Sequence, residues 1–213
     1  PLYIMIKKIL HNAIYVTQIE GYNKNEMKQV MDDQHNRFDK LFFQTSDEFF
    51  GDHLPGKQIH QYPQFDFLNK QISTHVKNFL AEITPTRLHA YVQKSWSIKV
   101  VNGGRVQPHT HHNADLSCVF YVDIPPNSGS LLFNDQNHMF HSLPIQYHHR
   151  GTTCEEVEVN DGTLVIFPSA LEHEVPESNN KDWRYSVSYD LSLVDENYTE
   201  GTCPDPKFWH KLD

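Results

Sequence analysis

Two histidines that lie two positions apart, His109 and His111, are the first residues of this sequence that could do chemistry. In an extended backbone, side chains at positions i and i+2 project from the same face. The pair could therefore present two imidazoles to one metal ion from the end of a strand. Histidine-rich turns without a metal have the same spacing, so the pair alone leaves both interpretations open.

A third histidine, His173, follows an apolar run that ends in Phe167-Pro168. An extended run followed by a loop that bends at a proline is one way to bring a ligand that is distant in sequence beside the first two histidines. Three protein ligands with open coordination positions are typical of a catalytic metal rather than of a closed structural site. The alternative is a surface histidine between Glu172 and Glu174.

Arg184, which lies eleven positions after His173, and Ser186 could together bind a carboxylic acid. In a strand, these two side chains share one face. A guanidinium gives a carboxylate two parallel hydrogen bonds, and a hydroxyl two residues later can supply another. The pair would anchor one end of a dicarboxylic acid whose other end chelates the metal. An Arg-x-Ser pair is uninformative by itself and becomes useful through its position after His173.

Helices are predicted in the first half of the chain, over residues 24–35 and 65–83. The second has apolar residues at helical spacing, which give it one apolar face, and Thr84-Pro85 ends it. The segment between them, 38–63, has no clean period and is predicted to be irregular. Residues 2–6 are predicted to form a first strand.

After Pro85 the pattern changes to short strands separated by turn signals such as Asn102-Gly103-Gly104 and Asn160-Asp161-Gly162. Alternation or continuous apolar runs predict strands over 96–100, 116–124, 130–133, 155–159, 163–167, 172–175 and 184–193. Dense short strands suggest a sandwich or small barrel. Helices before strands make the class α+β, with the helices supporting one sheet.

Length and composition limit the class of protein. A chain of 213 residues, 38% of them hydrophobic, can bury a core, and one domain is the default expectation. The net charge of -9 disfavours a general nucleic-acid surface but leaves a local basic groove open. No apolar stretch reaches the roughly 20 residues of a membrane span, and the opening segment does not resemble a signal peptide. Three cysteines favour a reducing compartment, and we expect the cytoplasm.

The ordered segments together resemble the double-stranded β-helix oxygenases that use Fe(II) and 2-oxoglutarate. The resemblance covers about residues 95–193. It is carried by Trp96, Asn102-Gly103-Gly104, Gln107, His109-Thr110-His111, the strand from Leu116 to Val122, Gly129-Ser130-Leu131-Leu132-Phe133, the segment from Asp161 to Pro168, His173 and Arg184-Tyr185-Ser186. More narrowly, the sequence is similar to the small oxygenases with an HxH segment before a Ser-x-Val-aromatic-Tyr strand.

The resemblance implies a double-stranded β-helix, a jelly-roll barrel, over residues 91–195 of a single domain, 1–213. Residues 1–90 would supply an N-terminal strand and the supporting helices, and 196–213 a C-terminal tail. It further implies an enzyme whose reaction with dioxygen and 2-oxoglutarate releases succinate and CO2 and hydroxylates a substrate. The sequence does not identify that substrate, which could be a small molecule or a protein side chain.

The resemblance also implies roles for the residues singled out above. Fe(II) would be held by His109, His111 and His173, and 2-oxoglutarate by Arg184 and Ser186. Most of the superfamily has His-x-Asp and a distal histidine, the two-His-one-carboxylate triad. Here the second histidine of the HxH pair stands in the Asp position, so a three-histidine site is preferred.

Other assignments stay open. If His111 is the first ligand, Asn113 takes the next position and Asp115 is the remaining carboxylate, at an unusual spacing. Tyr121 is a candidate for cofactor binding; it, Trp96 and Phe133 either line the cofactor pocket or pack in the core. The insertion 134–153, which carries His138, His141, His148 and His149, is either a lid over the substrate or a solvated loop.

Two other functions compete with this one. A cupin-like dioxygenase could use a three-histidine metal without 2-oxoglutarate, and then Arg184 would have no acid to bind. A non-catalytic barrel that serves as a binding module would hold no iron, and replacement of His173 would affect only its stability.

Overall fold

A computed structural model describes residues 5–9, 12–36, 58–100, 103–134, 154–178, 180–196 and 210–212. In this part of the chain the helices are α1 (Lys24–Asn36) and α2 (Asp66–Ile83), with short 3-10 turns at Ile59–Gln61 and Pro63–Phe65. The strands are β1 (Met5–Ile9), β2 (Asn12–Gln18), β3 (Leu88–Val100), β4 (Val106–His109), β5 (Leu116–Asp123), β6 (Leu131–Asn134), β7 (Cys154–Val157), β8 (Thr163–Pro168), β9 (His173–Val175), β10 (Arg184–Asp195) and β11 (His210–Lys211).

The strands form two antiparallel sheets that face each other. The major sheet has the order β1-β2-β8-β5-β10-β3-β11, and the minor sheet has the order β4-β9-β6-β7. From β3 to β10 the chain passes repeatedly from one sheet to the other, so that most neighbouring strands, apart from the pairs β1–β2 and β6–β7, are not consecutive in sequence. This is the double-stranded β-helix, and with the helices packed on the major sheet it confirms the predicted fold class.

Successive residues of the major-sheet strands enter two different cores. In β5, Phe120 packs in the core beneath the two helices, whereas Tyr121 packs between the sheets. In β8, Ile166 and Phe167 are divided in the same way. Because both faces of these strands are buried, they appear in the sequence as continuous apolar runs rather than as an alternation.

The two helices lie where the sequence predicts them. The apolar face of α2 contributes Leu68, Ile72, Val76 and Phe79 to the core beneath the helices. At its end, the amide of Thr84 donates to the carbonyl of Leu80 at 3.0 Å. No helix within the described ranges combines the length and the apolar character that crossing a membrane requires.

Several strands differ from the sequence prediction. The first strand is Met5–Ile9 rather than 2–6, of which 2–4 lie outside the described residues, and β2 was not predicted at all. In the segment predicted to be irregular, residues 58–63 form 3-10 turns, and 38–57 lie outside the described residues. Residues 210–211, placed in the predicted tail, extend the major sheet beside β3.

β3 begins at Leu88, eight residues before its predicted start at Trp96. Its early part also alternates, with Ala90 and Val92 in the core beneath the helices. The pairing with β10 shifts between Val92 and Lys94, and this irregularity separates the early alternation from the one that begins at Trp96. Beyond the irregularity, Ser95 contacts the ring of His60 at 2.6 Å and Ser97 contacts the ring of His35 at 3.1 Å.

Gly162, in the turn before β8, provides a test of the packing between this turn and the N-terminal strands. It has φ of +81°, and a Cβ there would collide with the backbone carbonyl of Ile19. Gly21 has the same backbone conformation, φ +83°, but has open space around the Cβ position. We expect Gly162→Ala to lower the free energy of unfolding by about 3 kcal/mol and Gly21→Ala by only about 1 kcal/mol. Thermal melts of the two variants measure the difference, and equal losses would show that the contact with Ile19 is unimportant.

Candidate functional site

The structure brings the three predicted histidines together between the two sheets. His109 ends β4 and is the register partner of His173, which begins β9, while His111 follows two residues after β4. One ligand nitrogen from each ring lies within 4.8 Å of the other two. In the described part of the chain, this is the group of three histidine, cysteine or acidic side chains that could hold a metal ion.

A bulge in β4 aims His109 into the barrel. The pairing with β9 shifts between Val106 and His109, which are three positions apart, yet both side chains line the same cavity. An extra residue in one strand re-aims the side chains that follow it. The HxH pair therefore meets His173 through local backbone geometry rather than through regular alternation.

In all three imidazoles, Nδ1 lies next to an oxygen atom that can accept a hydrogen bond but has no proton to donate. The Nδ1 of His109 lies 2.7 Å from the carbonyl oxygen of Gln107, and that of His173 lies 2.9 Å from the carbonyl oxygen of Leu171. The Nδ1 of His111 lies 2.5 Å from a carboxylate oxygen. In each ring the proton is therefore on Nδ1, and the lone pair is on Nε2.

The Nε2 atoms then face one another. Those of His109 and His111 are 3.2 Å apart, a distance at which two lone pairs repel unless a cation or proton lies between them. Burial, and after it the two neighbouring imidazoles, hold the pKa of His173 well below its usual value. Neutral imidazoles with converging lone pairs are the form that binds a transition metal, so the donor set fits a divalent ion.

Arg184 is the second unusual group in this cavity. The residue is only 2% exposed, and its Nε and Nη2 have no hydrogen-bond partner among the described residues. Its guanidinium lies over the ring of Tyr121, 5.1 Å from the centroid, and burial lowers its pKa from the ordinary value. A buried cation with unpaired N–H groups carries a large desolvation cost, which a bound anion would offset.

Ser186 and Tyr121 lie beside this guanidinium. They are register partners on β10 and β5, and both line the cavity together with Arg184. Burial raises the pKa of Tyr121 to about 12, so its hydroxyl is protonated at neutral pH. The Tyr121 hydroxyl has no hydrogen-bond partner in the described part of the chain and can donate one.

The rest of the cavity wall is mostly aliphatic. It consists of Ile98, Val106, Val119, Leu131 and Val175, with Ser188 as a further polar member. Such a wall excludes water and lowers the local dielectric constant, which strengthens every interaction between a bound anion and the guanidinium. The cavity therefore combines a metal-binding end with an anion-binding end.

The alternative ligands lie elsewhere. The carboxylate of Asp115 accepts the backbone N–H of Leu193 at 2.7 Å, at the end of the major sheet, and it is not in the metal-binding group. Asn113 is exposed. The insertion predicted to be a lid, except for Asn134, lies outside the described residues.

Two of the predicted aromatic residues contact the imidazoles. The Trp96 ring stacks on His111 with centroids 5.6 Å apart. Phe133 is the register partner of His173 and packs edge-on against Phe167 in the core between the sheets. Trp96 therefore supports a candidate ligand, and Phe133 packs in the core next to one.

Asp190, whose carboxylate accepts the Nδ1 proton of His111, was not among the site residues predicted from the sequence. A signal was present in the sequence. Arg184, Ser186, Ser188 and Asp190 alternate with apolar residues, so one face of β10 is polar over its first seven positions. Only the first two members of this polar face received a role in the prediction.

A family model described as "Putative 2OG-Fe(II) oxygenase" matches residues 94–190. Residues 94–190 of this chain are similar to that oxygenase family. The matched span contains the three histidines, Arg184 and most of the barrel. Iron and 2-oxoglutarate, which the description of this family names, are a metal and a dicarboxylic acid that the two ends of the cavity could hold.

Solved structures share the fold of this chain at low sequence identity. AviO1 from Streptomyces viridochromogenes Tue57 has a TM-score of 0.58 at 15% identity, over 92% of this chain and 93% of AviO1. SnoK, a non-heme alpha ketoglutarate dependent carbocyclase from nogalamycin biosynthesis, has a TM-score of 0.57 at 10% identity, over 94% and 92%.

A third similar structure is HygX from Streptomyces hygroscopicus with nickel, 2-oxoglutarate and hygromycin B bound. It has a TM-score of 0.52 at 14% identity, over 88% of this chain and 84% of HygX. No curated protein sequence matches this chain. At these identities the likeness concerns the fold.

Proposed function

We propose that this chain is an Fe(II)- and 2-oxoglutarate-dependent oxygenase that hydroxylates an organic substrate, with Fe(II) held by His109, His111 and His173 and with 2-oxoglutarate held by Arg184 and Ser186. The reaction would consume dioxygen and 2-oxoglutarate and release succinate and CO2. One oxygen atom of dioxygen would enter succinate, and the other would enter the hydroxylated product.

The metal assignment is supported by the shared tautomer of the three rings. Each ring donates from Nδ1 to a fixed acceptor, and each presents its Nε2 lone pair to the same point between the sheets. Three protein ligands leave coordination positions open for a chelating keto-acid and for dioxygen. A ferrous ion bound there would supply the oxidative chemistry.

The observation that carries the proposal is the buried guanidinium of Arg184, whose Nε and Nη2 are unpaired in the cavity that the three imidazoles also line. A dicarboxylic keto-acid has the groups that this cavity requires. Its distal carboxylate would accept from Arg184, and its keto-acid end would reach the metal. Ser186 and the protonated hydroxyl of Tyr121 would add hydrogen bonds to the same carboxylate.

The protein's contribution to the reaction is placement and shelter. Trp96 on one side and Asp190 on the other hold the ring of His111, which keeps its Nε2 aimed at the metal position. The aliphatic wall keeps bulk water from the keto-acid, and the charged guanidinium fixes its orientation. A substrate would then bind beside the coordination positions that the three histidines leave open.

The substrate class is narrower than the fold alone would allow. The HygX structure holds hygromycin B, which supports a small organic molecule as one class. A protein side chain is the other class that we retain, and the net charge of -9 disfavours nucleic acid. Cys118 and Cys154 are free thiols, which is compatible with the proposed cytoplasmic location.

Binding and turnover of 2-oxoglutarate test the proposal. Under anaerobic conditions, 2-oxoglutarate should bind the Fe(II)-loaded protein and produce a visible charge-transfer band. After admission of oxygen, succinate and CO2 should form in equal amounts, slowly without substrate and faster with one. Bound iron without any 2-oxoglutarate binding would instead favour the cupin-like dioxygenase, and absence of metal binding would favour a non-catalytic barrel.

A further inference from the structure

Asp190 is a buried carboxylate whose negative charge has no role in the proposed mechanism beyond holding the ring of His111. It is 1% exposed and lies in the middle of β10, where it faces the interior of the barrel. We propose that Asp190 is a positioning residue that supplies, through His111, the negative charge that a ligating carboxylate supplies in His-x-Asp sites. This inference rests on the proposed metal site.

The hydrogen bond between Asp190 and His111 is short, and a second hydrogen bond holds the same carboxylate oxygen. Asp190 Oδ1 lies 2.5 Å from Nδ1 of His111 and accepts a second hydrogen bond, at 2.9 Å, from the hydroxyl of Ser117. Ser117 is the register partner of Asp190 on β5 and also contacts the hydroxyl of Ser169 at 2.9 Å. The carboxylate is therefore held in one orientation by His111 and by Ser117 of β5.

The three imidazoles do not have equivalent partners. His109 and His173 donate to neutral backbone carbonyls, whereas His111 donates to an anion. A carboxylate acceptor makes an imidazole a stronger electron donor to a metal and fixes its tautomer. His111 is the residue that stands where most of the superfamily has aspartate, so the added charge enters the site at the position where a charge is missing.

The second carboxylate oxygen is occupied separately. Nζ of Lys94, the register partner of Asp190 on β3, lies 3.3 Å from Oδ2. The lysine offsets part of the cost of burying the carboxylate and leaves Oδ1 directed at His111. The backbone of His111 is also held in place, because its N–H donates a hydrogen bond to the carbonyl of Ser169 at 2.9 Å.

Metal titrations of the apo-protein without 2-oxoglutarate test the role directly. Asp190→Asn keeps the shape and removes the charge, and we expect Co(II) to bind about 10-fold more weakly. Asp190→Ala removes the acceptor as well, and we expect a loss of 10- to 100-fold, the range for loss of an outer-shell partner. In both variants the ligand-field absorption of bound Co(II) should shift, because the donor strength of His111 changes.

Two further variants complete the design. Ser117→Ala removes one hydrogen bond to the same carboxylate and should weaken Co(II) binding a few-fold, which keeps the test available if the Asp190 variants fail to fold. Ser192→Ala is the matched control, because Ser192 is a buried polar residue of β10 that pairs with Gln93 rather than with a histidine. It should leave the Co(II) affinity and spectrum unchanged.

The outcomes separate this inference from the function on which it rests. Unchanged Co(II) affinity and spectrum in the folded Asp190 variants, with only a lower melting temperature, would overturn the role proposed for Asp190. If His173→Ala also leaves Co(II) binding unchanged, the metal site itself is wrong, and both proposals fail. Loss of binding in His173→Ala with a graded loss in the Asp190 variants supports both.

Discussion

His173→Ala is expected to weaken metal binding by more than ~100-fold and to abolish succinate formation. The loss should exceed the ~10- to 100-fold range that removal of an outer-shell partner produces, because a ligand itself is removed. His173 is chosen because it is distant in sequence from the HxH pair, so its effect tests the convergence of the three rings. Isothermal titration with Mn(II), followed by a succinate assay, measures both quantities.

The matched control is His112→Ala, in the same histidine-rich segment. His112 is exposed and is not part of the metal-binding group. It should retain wild-type Mn(II) affinity and turnover. Equal effects of the two substitutions, or an unaffected His173→Ala protein that remains folded by circular dichroism, would contradict the three-histidine site.

Arg184→Met is expected to raise the dissociation constant of 2-oxoglutarate by about 100-fold or more while leaving metal affinity nearly unchanged. Hydrogen bonds to a charged group contribute roughly 1.5–3 kcal/mol each, and every 1.4 kcal/mol corresponds to about tenfold in affinity. Loss of two such bonds therefore predicts an effect of this size. Titration of the anaerobic Fe(II) protein with 2-oxoglutarate measures it.

The same substitution should have the opposite effect on the stability of the protein without 2-oxoglutarate. The wild-type guanidinium is buried with two unpaired nitrogens, so an apolar side chain of similar length should be neutral or stabilising by up to a few kcal/mol. Saturating 2-oxoglutarate should raise the melting temperature of the wild type by roughly 5 °C and that of Arg184→Met by much less.

Arg87→Met is the control for loss of an arginine. Its side chain is 83% exposed, and its Nη1 lies 3.9 Å from Oε1 of Glu196 at the surface. Neither the free energy of unfolding nor the affinity for 2-oxoglutarate should therefore change appreciably. A destabilised Arg184→Met protein that still binds 2-oxoglutarate with wild-type affinity would assign Arg184 to structure and would remove the anchor from the proposed function.

Several features of the molecule could be predicted from the sequence because they depend on local periodicity. The apolar face of α2 repeats at helical spacing, and β5 and β8 are short apolar runs between turns. The HxH spacing likewise places two rings near each other within a few residues of chain. For these features each residue's environment follows from its immediate neighbours.

The polar pairs inside the fold could not be predicted in this way. Ser95 and Ser97 of β3 are paired with side chains that precede them by more than thirty positions. Asp190 was missed because its partner His111 is 79 positions away. A buried polar residue is stabilised by the partner that folding brings to it, and a single sequence does not contain that pairing.

The residue types available for the chemistry, the two helices, the turns and the alternation of β10 that puts Arg184 and Ser186 on one face all follow from local patterns in the sequence. Three features depend on the folded chain: His173 lies opposite His109, Asp115 is held at the end of the major sheet, and a carboxylate lies behind His111. They depend on it because most neighbouring strands of a double-stranded β-helix are distant along the chain. Backbone hydrogen bonds between sheet neighbours, which local patterns do not specify, set which side chains meet in its interior.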